Sequence, residues 1–143
     1  MLQNCKIITL FLLGLPLLAT AAASKPFLGS SEGCQVERIK IEKSFKTSLK
    51  CGSFKYETEQ EFLDNKFLKW ATLKTKKDTL VVLIFTKGVH GEKAEVFSLK
   101  NKKKIKSIAS SWPIEVSQKR MEYKLDSNEK GEYPSHFFDF KDY

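Results

Sequence analysis

The chain has 143 residues and a formal charge of +8, with 41% hydrophobic and 29% charged residues. That length bounds it to one domain with a single modest core. Lys and Arg total 25 against 17 Asp and Glu, so the surface is basic but mixed, which excludes a uniform polycation.

Residues 1–6 make a short, weakly basic start, and residues 7–18 (IITLFLLGLPLL) form an apolar run carrying Gly14 and Pro16. Ala19-Thr20-Ala21-Ala22-Ala23 then supplies the small residues that signal peptidase requires. That order predicts a cleavable secretory signal over residues 1–23. The mature start falls at Ser24, or at Ala22 if Ala19-Thr20-Ala21 is used. The apolar run is shorter than the ~20 residues that span a bilayer, which disfavours a permanent anchor. The expected location is secreted or periplasmic.

Residues 24–33 (SKPFLGSSEG) are rich in Ser, Gly and Pro and predict a flexible lead-in. A single β domain is expected over residues 34–143. Cys5 lies in the segment to be removed and too early to be a lipoprotein cysteine. Cys34 and Cys51 remain, an even count in an oxidising compartment, and predict one disulfide. No N-x-S/T sequon occurs.

Phe45, Thr47, Leu49 and Cys51 alternate with Lys46, Ser48 and Lys50; Phe54, Tyr56 and Thr58 alternate with Lys55, Glu57 and Glu59. Such alternation marks strands with one buried face, and Gly52-Ser53 between them is a hairpin turn signal. Setting Cys34 opposite Cys51 brings Val36 against Leu49 but turns Ile39 and Ile41 to the other face. A one-residue bulge near Glu37-Arg38 is expected to reconcile the two.

Residues 66–73 read as a strand, although Leu63, Phe67, Trp70 and Ala71 also fit helical spacing. Residues 79–86 (TLVVLIFT) are a continuous apolar, β-branched run, expected as a central strand buried on both faces. The chain turns at 88–92, runs as a strand over 94–99 and turns again at 100–104. Residues 105–116 hold a strand interrupted by Trp112-Pro113, since proline cannot donate to a ladder. Strands over 121–125 and 132–140 flank a polar loop at 126–131. Short links favour antiparallel hairpins, and no helix is long enough for a parallel crossover. The expected fold is an all-β antiparallel meander of about seven or eight short strands, either a small barrel or a sandwich.

Three patterns invite a chemical reading. Asp126, Asn128 and Gly131 match three positions of a calcium loop, but Lys130 and Phe137 occupy positions that need ligands, so a polar turn is expected. His90 and His136 lack the spacing and partners of a zinc site, and no serine sits in a G-x-S-x-G elbow. Neither a metal, a cofactor nor a catalytic residue is expected. The third pattern is charge. Lys74, Lys76 and Lys77 lie in one turn, and Lys100, Lys102, Lys103 and Lys104 in another. Alternate turns of a meander fall at the same end of the sheet, so these lysines should converge into a rim for an anionic partner. The competing explanation is that lysines at strand ends block edge-to-edge aggregation. Nucleic acid is not expected, because the cluster lacks arginine and interleaved aromatics. Phe137, Phe138, Phe140, Trp70 and Trp112 are expected to fill the core rather than line a ligand cavity.

Phe85-Thr86-Lys87-Gly88 resembles the aromatic-TKG stretch of the small periplasmic β-barrel lysozyme inhibitors. The family's second motif, Ser-Gly followed by Tyr three residues on, is reversed here as Gly52-Ser53 before Tyr56. A basic inhibitor would also be repelled by the basic common lysozymes, so no membership follows. The expectation from the residues is a non-enzymatic binding module of protein-interaction, inhibitor or immunity type, without a transmembrane anchor after cleavage. Its partner is a protein or an anionic surface. The alternative is a small barrel carrying an apolar ligand.

Overall fold

The computed structural model describes residues 21–60 and 65–143; the expected signal lies outside the described residues up to position 20, and its last three residues, Ala21, Ala22 and Ala23, pair with Ile39, Arg38 and Glu37 in the uncleaved chain. The described chain holds eleven strands, one 3₁₀ turn and no α-helix. β1 (Ala21–Ser24), β2 (Cys34–Ile41), β3 (Ser44–Cys51) and β4 (Phe54–Gln60) form a first antiparallel sheet in chain order. β5 (Phe67–Lys74), β6 (Thr79–Lys87), β7 (Gly91–Ser98) and β8 (Lys103–Ser110) form a second. β9 (Glu115–Val116), β10 (Arg120–Lys124) and β11 (Ser135–Asp139) form a third, with β10 in the middle. None of the three closes into a barrel.

The apolar run of β6 explains how the sheets stack. Its side chains alternate between two cores. Leu80, Val82 and Ile84 pack with Leu73, Ala94, Val96 and Ile108, and with Ile114, Met121 and Phe140 from the third-sheet region. Val81, Leu83 and Phe85 pack with Phe67, Trp70 and Phe97, and with Val36 and Leu49 of the first sheet. The second sheet is therefore the middle layer, covered on both faces.

Bulges fall elsewhere than expected. Pairing of β2 with β3 runs unbroken from Cys34↔Cys51 to Ile41↔Ser44, with no bulge at Glu37-Arg38. The hairpin keeps its hydrogen-bond ladder and leaves Ile41 42% exposed on the outer face. Arg38 takes an inner-face position instead, its guanidinium 3.5 Å from the Phe45 ring centre. The register shifts instead between Phe67 and Lys69 in β5, and between Val96 and Phe97 in β7. The first of these explains the helix-like spacing: one extra residue lets Phe67 and Trp70, three apart, face the same core.

The stretch from Ser24 to Gly33 is attached to the outer edge of β5. The Trp70 indole donates to the Ser24 carbonyl (3.1 Å), Phe27 N–H to the Trp70 carbonyl (2.8 Å) and Thr72 N–H to the Leu28 carbonyl (3.0 Å). Gly29 crosses Thr72 with φ +79°, where a Cβ would stand 2.2 Å from the Thr72 carbonyl oxygen; only glycine fits that approach.

Candidate functional site

Antiparallel order in the middle sheet puts the β5–β6 turn and the β7–β8 turn at one end. Asp78 joins them. Its Oδ1 accepts from the N–H of Thr79 (2.7 Å) and, across the gap, from the N–H of Lys100 (2.9 Å). The Ser98 hydroxyl donates to Oδ2, and the Asn101 N–H donates to Ser98 Oγ (3.0 Å). Leu99 N–H closes the seam on the Thr79 carbonyl (3.1 Å). Within its own turn, Thr75 Oγ1 accepts from Asp78 N–H (2.9 Å) and donates to the Asp78 carbonyl (2.9 Å). A carboxylate that accepts backbone N–H groups from two turns holds them in fixed relation.

Lys74, Lys76, Lys77, Lys100, Lys102, Lys103 and Lys104 are all exposed at this end. Lys74 pairs with Glu32 (2.9 Å), and Lys104 reaches Glu95 (3.4 Å). Lys102 Nζ donates to Ser53 Oγ (2.7 Å), which brings the β3–β4 turn to the same end. Lys76, Lys77, Lys100 and Lys103 have no acidic partner within ion-pair distance among the described residues. A groove of about 390 Å³ extends the basic surface toward the third sheet; Lys119 and Lys141 line it with Lys74 and Lys76. These two lysines and Asp78 escape sequence reasoning. Thr75-x-x-Asp78 is a legible turn signature, but Lys119 and Lys141 reach the rim only through tertiary packing.

One rim lysine leads into the interior. Glu95 is 2% exposed, yet it lies between Lys93 Nζ (2.9 Å), Lys104 Nζ and the Tyr56 hydroxyl, which donates to Oε2 (2.9 Å). Burial pushes the Glu95 carboxyl up, but Lys93, Tyr56 and Lys104 outweigh it and hold the group below its ordinary value. Burial, then the Glu95 charge, push the Tyr56 hydroxyl up to about 12. A depressed carboxyl stabilises the fold fully above its ordinary value of 4.5, and that stabilisation is lost as pH falls through the lower folded value. Glu95→Gln should therefore unfold more easily by about 1–2 kcal/mol at neutral pH, since Lys93 and Lys104 can turn to solvent. The gap from the parent should narrow as pH falls below 4.5 and close beneath the lowered folded value, as denaturant titrations at neutral and acid pH will read.

Cys34 and Cys51 are bonded, directly opposite each other on β2 and β3. His136 stacks on Tyr123 with ring centres 5.6 Å apart, and among the described residues no group of His, Cys, Asp and Glu is placed to hold a metal ion. The loop at 126–131 is a polar turn: Asn128 Oδ1 accepts from the N–H groups of Lys130 (2.9 Å) and Glu132 (3.0 Å). Of the aromatics assigned to the core, Trp70 and Phe140 are buried there and Phe138 packs against it. Trp112 and Phe137 are instead 47% and 46% exposed. Phe137 lies under the Arg120 guanidinium (4.1 Å), which covers one ring face without removing it from water. Comparison with protein families, curated proteins and solved structures finds no match to this chain.

Proposed function

We propose that this protein is an exported, non-enzymatic binding module that docks the acidic face of a partner protein on its lysine rim. The observation that carries the reading is the Asp78 staple, which fixes two lysine-bearing turns side by side. A preset cluster of like charges is relieved by an anionic surface, and the partner need not order the loops first. Export is supported by the residue 1–23 pattern and by the Cys34–Cys51 bond, which suits an oxidising compartment. No helix among the described residues is long and apolar enough to cross a membrane. The carrier alternative lacks a barrel to hold its cargo: the interfaces on both faces of the middle sheet are filled by side chains.

Reversing Lys102→Glu with Lys103→Glu tests the rim. Partner recovery by crosslinking from the exported fraction should fall at least tenfold. Stability should change by no more than about 0.5 kcal/mol, the usual scale for exposed substitutions. If the lysines serve only to guard strand ends, binding stays intact and the double variant aggregates differently.

A further inference from the structure

We propose that a cleft at the opposite end of the middle sheet is a binding site for the pyranose ring of a neutral sugar. The cleft has a volume of about 590 Å³. That lies within the roughly 300–1,000 Å³ typical of small-ligand sites. It is built from the β6–β7 turn, the segment after β8 and the β10–β11 loop, and is independent of the lysine rim.

Two aromatic rings line it. Trp112 is 47% and Tyr133 43% exposed, with ring centres 5.4 Å apart in an edge-to-face pair at 78°. The other tryptophan, Trp70, is buried at 1%. Exposed aromatic rings gathered at a cleft offer a flat apolar surface that the C–H face of a sugar ring can cover. Hydrogen-bonding groups ring this platform. Asp126 Oδ1 accepts from the Ser111 hydroxyl (2.7 Å), leaving Oδ2 for a sugar hydroxyl. His90 and Ser127 also line the cleft.

Charge narrows the ligand. Among the described residues no Lys or Arg lines this cleft, and Asp126 is the only carboxylate that does. An acidic sugar or a phosphate would meet a negative charge with no counter-cation. A quaternary ammonium group would suit the rings and Asp126. It would leave Ser127 and His90 unused and fill little of the volume.

The walls are set in advance. Ser110 is fully buried; its Oγ accepts from the N–H groups of Trp112 (3.3 Å) and Lys124 (3.0 Å) and donates to the Lys124 carbonyl (3.0 Å). The Ser111 N–H donates to the same carbonyl (2.7 Å). The Asn128 turn fixes the loop that carries Tyr133. Preset walls spare the ligand the entropy of ordering them.

The test titrates the exported chain with chitotriose, cellotriose and maltotriose, following tryptophan fluorescence and saturation-transfer NMR of the sugar protons. At least one sugar should give a saturable change with a dissociation constant below about 10 mM. Trp112→Ala should abolish saturation transfer and Asp126→Asn should weaken binding about tenfold, each with the melting temperature unchanged. Lys102→Glu with Lys103→Glu should leave sugar binding as it is, so failure here and failure at the rim are separate results. The proposal is overturned if none of the three sugars saturates, if binding survives Trp112→Ala, or if choline chloride alone gives the saturable signal.

Discussion

Cys34→Ser should lower the free energy of unfolding by about 3 kcal/mol. The bond joins residues separated by 17 in sequence, and holds the open end of the β2–β3 hairpin opposite the Glu42-Lys43 turn. Cutting it frees a loop in the unfolded chain and so raises that chain's entropy. Cys34 also sits in the core between the first and second sheets, so the change disturbs packing as well. For a domain of this size the melting temperature should drop by roughly 10 °C. A reducing agent should lower the parent toward the variant's value, stopping short by the packing loss at Cys34, and leave the variant where it is. A parent whose melting point ignores both treatments would show that the bond adds nothing to stability.

Phe97→Ala should cost more, about 3–5 kcal/mol. Phe97 is fully buried on β7 and meets two rings of the first sheet: Tyr56 at 4.6 Å and Phe54 at 6.0 Å between centres. Truncation leaves a cavity at the contact between two sheets, where neither backbone can collapse without breaking its ladder. Against a total stability of about 5–15 kcal/mol, the variant is marginal. Phe97→Leu retains most of the volume and should lose less than about 1.5 kcal/mol, so the series remains readable if the alanine variant fails to fold. Phe137→Ala, at an exposed ring, should stay within about 0.5 kcal/mol of the parent by denaturant titration. Equal losses at positions 97 and 137 would contradict the stacking of the sheets.

The parts of this architecture that sequence reveals are those written in local periodicity. β6 is legible because an uninterrupted apolar run leaves no wet face. Pairing of Cys34 with Cys51 follows from their hairpin, and convergence of the lysine turns follows from meander parity alone. What escapes is non-local. Nothing in residues 115–139 announces that short strands will form a third layer over Leu80, Val82 and Ile84. The Phe67–Trp70 spacing reads as helix because a bulge changes the parity of the strand. Ile39 and Ile41 suggest a bulge in β2, but a continuous ladder outweighs the exposure of one isoleucine. Attachment of Leu28 and Gly29 to β5 depends on a backbone approach that composition does not encode. The cleft of Trp112, Tyr133 and Asp126 is assembled from segments whose separation in sequence hides it.

The measurement that bears most directly on the proposed function is the salt dependence of the on-rate for the partner recovered by crosslinking. Surface charges are screened beyond about 8 Å at physiological ionic strength, and steering of an acidic partner by the rim acts before contact. The association rate constant should fall steeply between low and high salt while the dissociation rate changes little. Lys102→Glu with Lys103→Glu should flatten that dependence and slow association at low salt. An association rate that is unchanged by salt and by the double reversal would contradict the lysine rim as the docking surface.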